Sequence, residues 1–240
     1  MREFSASPVR LQATSTHCIA AFDALTAHYN NPGSRQNFAA TLGIDNAECP
    51  LFVTWNTASE SGSPRSHWRL RGCIGTLEPR DLHSALHDYA LTSALRDHRF
   101  SPIRPSELPH LRCTVSLLSC FAAIASWRAW EVGVHGLIIE FDDPDGGQQR
   151  SATFLPDVAR EQGWSKQECV DALIRKAGFS GRVTSALRES LQIVTYQSTT
   201  ASLTYNEYTA LKAEMEEGVS DGGEGVAAEA GLQPAITVMA

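Results

Sequence analysis

The sequence has no apolar run that approaches the roughly 20 residues needed by a membrane-spanning helix. Its N-terminal residues, 1–5, are not followed by an apolar stretch, so no secretory signal is visible. These two absences predict a chain without a membrane partner, located in the cytoplasm, the nucleus or both.

Positive charge is also in short supply. The chain has 20 Lys and Arg residues against 27 Asp and Glu residues, which gives a net charge of −7 at pH 7. Six of the acids lie beyond Lys212, where no Lys or Arg follows, so the preceding part of the chain is close to neutral. A nucleic-acid-binding domain needs a basic patch or stripe. The charge balance therefore predicts that nucleic acid is not a partner.

Common metal and catalytic motifs are missing as well. The six cysteines form no C-x-x-C pair, and without a secretory signal we expect all six to be reduced thiols. The nucleotide-binding glycine motifs, the nucleophile elbow and the kinase signature are absent. His83 and His87 have the spacing of metal ligands on a helix, but no third ligand is apparent. We therefore predict no metal site, and the sequence identifies no cofactor.

Hydrophobic patterning predicts an α+β fold. The predicted strands are 51–55, 68–71, 114–118 and 193–196, with a hairpin of 134–141 and 150–155, and the predicted helices are 18–29, 81–96, 165–178 and 205–215. Because strands and helices do not alternate as βαβ units, we expect a mostly antiparallel sheet flanked by helices. One domain is expected at 15–212, between a disordered leader at 1–14 and a disordered acidic tail at 213–240.

The segment 69–76 carries the main candidate chemistry. If the strand persists, its period of two places Arg69, Arg71 and Cys73 on one face. A guanidinium beside a thiol favours the reactive thiolate, and Gly72 and Gly75 allow a ligand or another backbone to approach closely. The alternative is a tight glycine bend that packs Cys73 as a small apolar residue.

Two further residues are candidates for the same site. His135 stands at the start of a predicted strand and could act as the general base for Cys73, or it is a structural histidine. Glu161 could supply an acid or a hydrogen-bonding rim. Its alternative is a place in a capped turn beside a buried Trp164.

Several strings, taken in order, resemble the AMMECR1 domain family, and its eukaryotic branch most closely. They are Leu70-Arg71-Gly72-Cys73-Ile74-Gly75-Thr76 and residues 93–97 with 99–100, 107–108, 115–118, 130–136, 154–164 and 205–208. The resemblance runs from about Cys18 to Tyr208. It implies a single domain of two lobes, with the glycine-cysteine motif near the cleft between them.

The resemblance also implies a context and two departures. Bacterial and archaeal members typically occur alongside Memo-like and radical S-adenosylmethionine proteins, which suggests a shared modification pathway. The family often has Glu where this chain has Ala122, and often has Arg where it has Thr195. A site that used either side chain would be altered here.

Three functions remain open from the sequence. The first is an enzyme or redox protein that uses Cys73 as nucleophile, with Arg71 beside it and His135 as base. The second is a module that binds a small anionic ligand through Arg71, Glu161 and the segment's backbone amides, at Gly72, Gly75 and Thr76. The third is a regulatory adaptor that binds a protein partner.

The acidic tail generates a first prediction. Because it has several glycines and no periodic apolar face, it cannot offset the entropy lost on ordering. Truncation after about Ala213 should change the melting temperature by no more than about one or two degrees. Calorimetry of the full-length and truncated chains tests this, and a large drop would mean that the tail docks on the domain.

Overall fold

The computed structural model describes residues 11–31, 36–58, 68–144 and 146–220. Within these ranges lie six strands: β1 (Glu48–Ala58), β2 (Trp68–Asp81), β3 (Leu111–Ile124), β4 (Gly136–Asp142), β5 (Gln149–Phe154) and β6 (Gln192–Thr204). The helices there are α1 (Ser15–Asn30), α2 (Phe38–Thr41), α3 (Leu82–Leu95), α4 (Pro156–Glu161), α5 (Lys166–Lys176), α6 (Ser185–Ser190) and α7 (Tyr205–Ser220). A 3-10 helix, Pro105–His110, precedes β3.

The strands form one curled antiparallel sheet in the order β2-β1-β3-β6-β4-β5. The two central strands, β3 and β6, are long, with 14 and 13 residues. Their pairing shifts register between Ser119 and Ala122, where Cys120 has a φ of 56°. The sheet is therefore continuous, with a bulge near its middle. The predicted α+β class with an antiparallel sheet is confirmed.

Two hydrophobic cores define two lobes along this sheet. The first core is built from α1, α3, β1, the start of β3 and the end of β6, with Trp55 fully buried at its centre. Phe22 packs edge-on against Trp55, with ring centroids 5.0 Å apart. The second core gathers Trp127 and Trp130 with β4, α5 and the start of β6. A smaller cluster of Leu118, Ile138 and Tyr196 lies between them. The two lobes that the sequence predicted are thus present.

Local signals placed several helix ends correctly. Asp81 caps α3 by accepting a hydrogen bond from the backbone N–H of Ser84 at 2.9 Å. Ser165 and Glu168 form the expected capping box at the start of α5. Gly178 adopts a φ of 86° after that helix, a conformation that glycine tolerates without strain.

The ends of the domain differ in detail from the sequence prediction. Residues 11–14, expected in the leader, lie along β6: the Ala13 N–H donates to the Thr199 hydroxyl at 3.0 Å, and that hydroxyl donates to the Leu11 carbonyl at 2.9 Å. Helix α7 continues to Ser220, past the expected end near Met215, because Ala, Glu and Met favour helix. The rest of the predicted leader and tail, 1–10 and 221–240, lies outside the described residues.

Helix α3 packs directly on β2 at Gly72. A Cβ atom built on Gly72 would overlap the backbone carbonyl oxygen of Ser93. The helix backbone therefore approaches the strand so closely that only glycine fits.

We predict that Gly72→Ala destabilises the protein by about 1–3 kcal/mol, because the overlap forces the helix or the strand to move. Gly146→Ala is the matched control, since a Cβ there meets nothing within 4 Å, and its effect should stay within about 0.5 kcal/mol. Urea unfolding of both variants makes the comparison. Equal stabilities would disprove the close-packing explanation.

Candidate functional site

Strand β2 runs without a break through the glycine-cysteine segment, so the alternative of a tight bend is wrong. A β-bulge interrupts its pairing with β1, however: Gly72 faces Trp55 while Leu70 faces Asn56, which leaves Arg71 as the extra residue. The prediction that Arg71 and Cys73 share a face is wrong for this reason, because one inserted residue cancels the period of two.

Arg71 is held in a structural ion pair. Its Nε donates to a Glu107 carboxylate oxygen at 2.8 Å, and its Nη1 donates to the Ser101 carbonyl at 2.6 Å. A further bond runs from Nη2 to the Pro102 carbonyl at 3.2 Å. The Arg71 side chain is only 11% exposed. It attaches β2 to the segment 101–107. The charges that act on the Cys73 thiol come from other side chains.

The other residues of the segment are also engaged. A Cβ on Gly75 would overlap the Leu51 carbonyl oxygen and the Phe52 ring, so this glycine lets β1 approach. The Thr76 hydroxyl accepts from the Glu78 N–H at 3.0 Å. The Cys73 N–H donates to an Asp97 carboxylate oxygen at 2.9 Å. The Cys73 amide is therefore already bonded and is not free to bind an anion.

Asp97 and Arg99 together clamp the outer edge of β2 at Cys73. Asp97 Oδ2 accepts the Cys73 N–H, and Arg99 Nη2 donates to the Cys73 carbonyl at 3.0 Å. The two side chains are joined by a salt bridge of 2.6 Å, in which Asp97 is 4% exposed and Arg99 is 55% exposed. The bonds from Arg99 lower the pKa of Asp97 to about 2. Both residues belong to the stretches that resemble the AMMECR1 family, but the sequence alone gave neither of them a role.

The Cys73 thiol lies on the face of the sheet opposite the first core. The Thr54 hydroxyl donates to its sulfur at 3.2 Å, and Thr54 is its partner across β1. Burial raises the pKa of Cys73, although the hydrogen bond from Thr54 and the charges of Arg99 and Lys176 act in the opposite direction. Burial outweighs them, so the resting group is a protonated thiol rather than the expected thiolate.

The charge of Lys176, a residue of the second lobe, acts on this thiol. It is the last residue of α5, and its ammonium donates to the Thr153 carbonyl at 2.8 Å and lies 4.8 Å from the centre of the Phe154 ring. Desolvation by the surrounding protein lowers the pKa of Lys176, and the charge of Arg99 adds to this, while negative charge at Cys73 opposes it. No sequence signal pointed to Lys176, because its electrostatic interaction with Cys73 is between lobes.

Tyr196 stands between the two lobes. Its hydroxyl donates to the Phe154 carbonyl at 2.9 Å and lies 2.9 Å from the Thr153 hydroxyl. Burial raises the pKa of Tyr196, and charge at Cys73 would raise it further. The candidate site is thus a cluster at the junction of the lobes: Cys73 and Arg99 belong to one lobe, Lys176 belongs to the other, and Tyr196 is buried near them.

His135 has a hydrogen-bond partner outside this cluster. Its Nδ1 accepts a hydrogen bond from the Glu131 N–H at 3.0 Å and closes the turn before β4. No hydrogen bond between His135 and Cys73 occurs in the described parts of the chain. The neighbouring Gly136 has a structural reason, because a Cβ there would overlap the ring of Tyr196.

Glu161 lies exposed at the end of α4, and its charge acts on Arg112 of β3. This interaction crosses the cleft, since α4 packs against β4 and β6 whereas Arg112 pairs with Asn56 of β1. Trp164 packs on the second core, as one interpretation of the segment expected.

The two helical histidines have separate partners. His83 Nε2 lies 2.6 Å from the Ile44 carbonyl, and His87 Nδ1 lies 3.2 Å from Asp88. Across the described ranges, no group of three or more His, Cys, Asp or Glu residues is arranged to hold a metal ion. None of the helices described here is long and apolar enough to cross a membrane. All six cysteines lie in the described ranges, and none is in a disulfide.

The fold defines a class of protein: a two-lobed α+β domain built on one antiparallel six-stranded sheet. The AMMECR1 family model matches residues 18–201, and the chain belongs to this family. The resemblance inferred from the sequence strings is confirmed.

Relatives and a solved structure agree with this assignment. The chain is 47% identical over 198 residues to an uncharacterized protein of Arabidopsis thaliana, with 82% of this chain and 88% of the relative covered. It is 32% identical over 231 residues to an uncharacterized protein of Saccharomyces cerevisiae, covering 85% and 92%. The crystal structure of an uncharacterized protein from Pyrococcus horikoshii matches with a TM-score of 0.65 and 26% identity, covering 78% of this chain and 90% of that one.

The two departures noted in the sequence are partners in the structure. Ala122 and Thr195 face each other across β3 and β6, and the Thr195 hydroxyl donates to the Ala122 carbonyl at 3.1 Å. Both stand at the bulge rather than beside Cys73.

The raised pKa of Cys73 predicts slow alkylation of the folded protein at neutral pH, with a rate that increases as pH rises above the usual range of a thiol. Lys176→Met should slow the reaction further, because it removes a charge that favours thiolate. Arg71→Lys should leave the rate unchanged. The same shift makes alkaline pH destabilising, since the unfolded chain releases this proton more readily.

Iodoacetamide labelling resolved by mass spectrometry measures these rates, and the exposed Cys120 serves as the internal reference. A Cys73 that reacts as fast as Cys120 at neutral pH, or that slows only in Arg71→Lys, would contradict this assignment of its neighbours.

Proposed function

We propose that the protein binds a small anionic ligand in the cleft between its lobes, above the Cys73 thiol. The observation that carries the proposal is that Arg99 bonds to the Cys73 carbonyl at 3.0 Å, while its charge and that of Lys176 from the other lobe both act on one neutral thiol. A carboxylate or phosphate placed there would receive charge-assisted hydrogen bonds from both.

The state of the two cations supports this role. The Lys176 ammonium bonds to a backbone carbonyl, and in the described ranges no carboxylate forms a salt bridge with it. Arg99 is joined to Asp97 yet remains 55% exposed, so part of its guanidinium stays available. A partly desolvated ammonium without a counter-ion gains when an anion binds.

In this proposal, the residues expected from the sequence to bind the ligand have other roles. Arg71, Gly72, Gly75 and Thr76 build the frame of β2, while the ligand contacts pass to Arg99 and Lys176. Glu161 remains at the rim, on the opposite side from the thiol.

Cysteine-dependent chemistry is the second candidate. The hydroxyl of Thr54 and the two cations would stabilise a thiolate once it formed. A protonated thiol needs a base, and His135, expected in that role, is bonded to Glu131 instead. Anion binding therefore has the better support. A place in a modification pathway with Memo-like and radical S-adenosylmethionine proteins, and a role as a protein-binding adaptor, stay predictions, as does a cytoplasmic or nuclear location.

Inorganic phosphate should bind to the full chain, and Lys176→Met should weaken its binding about tenfold, or ~1.4 kcal/mol. Lys166→Met is the matched control, because Lys166 lies at the other end of α5 and also donates to one backbone carbonyl, that of Arg128, at 2.9 Å. Isothermal titration calorimetry at low salt measures both affinities.

Equal losses in the two lysine variants would mean non-specific attraction and would reject the proposal, as would undetectable phosphate binding. Cys73→Ser separates the two candidates: anion binding should survive it, whereas a thiol-dependent activity should not.

A further inference from the structure

Arg112 is a second cation of the same sheet face, at some distance from the thiol. Cys73 pairs with Thr54, and Thr54 pairs in turn with Thr114. Arg112 precedes Thr114 by two residues and therefore points to the same face of β3. With strands about 4.8 Å apart and about 3.3 Å per residue, its Cα lies roughly 12 Å from that of Cys73. Hydroxyl groups of Thr54 and Thr114 occupy the surface between them.

The guanidinium of Arg112 is positioned but not saturated. Its central carbon lies 4.6 Å from the centre of the Trp68 ring, a cation–π arrangement that fixes the plane of the group. Its Nε is buried and has no hydrogen-bond partner among the described residues. A buried donor without an acceptor is costly and uncommon in folded proteins.

The charge on Arg112 is likewise poorly compensated. Desolvation lowers the pKa of Arg112, and the charge of Glu161 across the cleft opposes that shift. Glu161 is exposed, and no salt bridge between the two residues is present in the described ranges. An acceptor that approaches Arg112 could bond to its two Nη groups together, a bidentate geometry in which arginine holds carboxylates and phosphates.

We infer that Arg112 is a second anion-binding residue of the cleft, and that the ligand is an elongated small molecule with a carboxylate or phosphate at each end. One end binds at Arg99 and Lys176, and the other binds at Arg112 over the Trp68 ring. The inference rests on the proposed function, since it extends the same ligand along the sheet. The row of hydroxyl groups between the two ends suits a polar or flexible linker.

Calorimetric titrations with four probes test it on the full chain: suberate, the bisphosphate of a linear diol of similar length, octanoate and succinate. Suberate or the bisphosphate should bind at least about tenfold more tightly than octanoate, which has one anionic end, and than succinate, which is too short. The preference between the first two tells a dicarboxylate from a phosphate ligand.

Variants of Arg112 identify the second end. Arg112→Gln should reduce the affinity for the preferred long dianion about tenfold, and Arg112→Lys, which keeps the charge but lacks the paired Nη donors, should reduce it by a similar factor. In both variants, Lys176→Met should still weaken the binding of inorganic phosphate. Arg80→Gln is the control, because Arg80 is an exposed arginine on β2, 3.3 Å from Glu78.

A variant that gains affinity controls for misfolding, which could otherwise explain a loss of binding. Glu161→Gln removes a negative charge that competes for Arg112, and it should strengthen binding of the long dianion several-fold. Damage to the fold cannot produce that result.

The outcomes distinguish failure of the inference about Arg112 from failure of the proposed function. If long dianions bind no better than octanoate, or if Arg112→Gln leaves their affinity unchanged while phosphate binding still depends on Lys176, the inference is overturned and the proposed function stands. If phosphate binding does not depend on Lys176, both are overturned.

Discussion

The clamp of Asp97 and Arg99 on Cys73 is the interaction on which the cleft depends. Strand β2 is the edge of the sheet, and an edge strand presents unpaired N–H and C=O groups. Asp97 takes the N–H of Cys73 and Arg99 takes its C=O, so the pair replaces a neighbouring strand at this residue. One side chain of the pair is buried and the other faces the cleft. The edge is thereby closed with groups that also place a positive charge beside the thiol.

The glycines of the motif serve the same arrangement. Gly72 allows the backbone of α3 to approach β2, and Gly75 allows β1 to do so. Because α3 leads directly into Asp97, its close packing sets the position of the clamp relative to Cys73. The motif is therefore understood as a frame that holds one cysteine backbone from both sides. The thiol itself accepts a hydrogen bond from Thr54 and is influenced by the charges of Arg99 and Lys176.

Sequence reasoning recovered the features that local patterns encode. It found the fold class, the helix caps at Asp81 and Ser165, and the segment around Cys73. It failed at Arg71, because a single bulged residue changes the face of a side chain and leaves no mark in a pattern of period two. It missed Lys176, whose electrostatic interaction with Cys73 joins residues about a hundred positions apart in the chain. Asp97 and Arg99 lie in stretches that resemble the family, but no local pattern shows that they bond to the backbone of an edge strand.

The long strands β3 and β6 determine how the lobes behave mechanically. Each runs through both lobes, so the lobes share a backbone rather than a hinge. Neither core can open without breaking hydrogen bonds in a strand that also supports the other, and the domain should therefore melt in one transition. The cleft can change its width only by altering the torsion of the sheet, and the bulge at Ser119 and Ala122 is where that torsion is least restrained. A ligand bound between the lobes would then change the twist of the sheet. A change of twist moves the edge strand β5 as well as the edge strand β2, which carries Cys73.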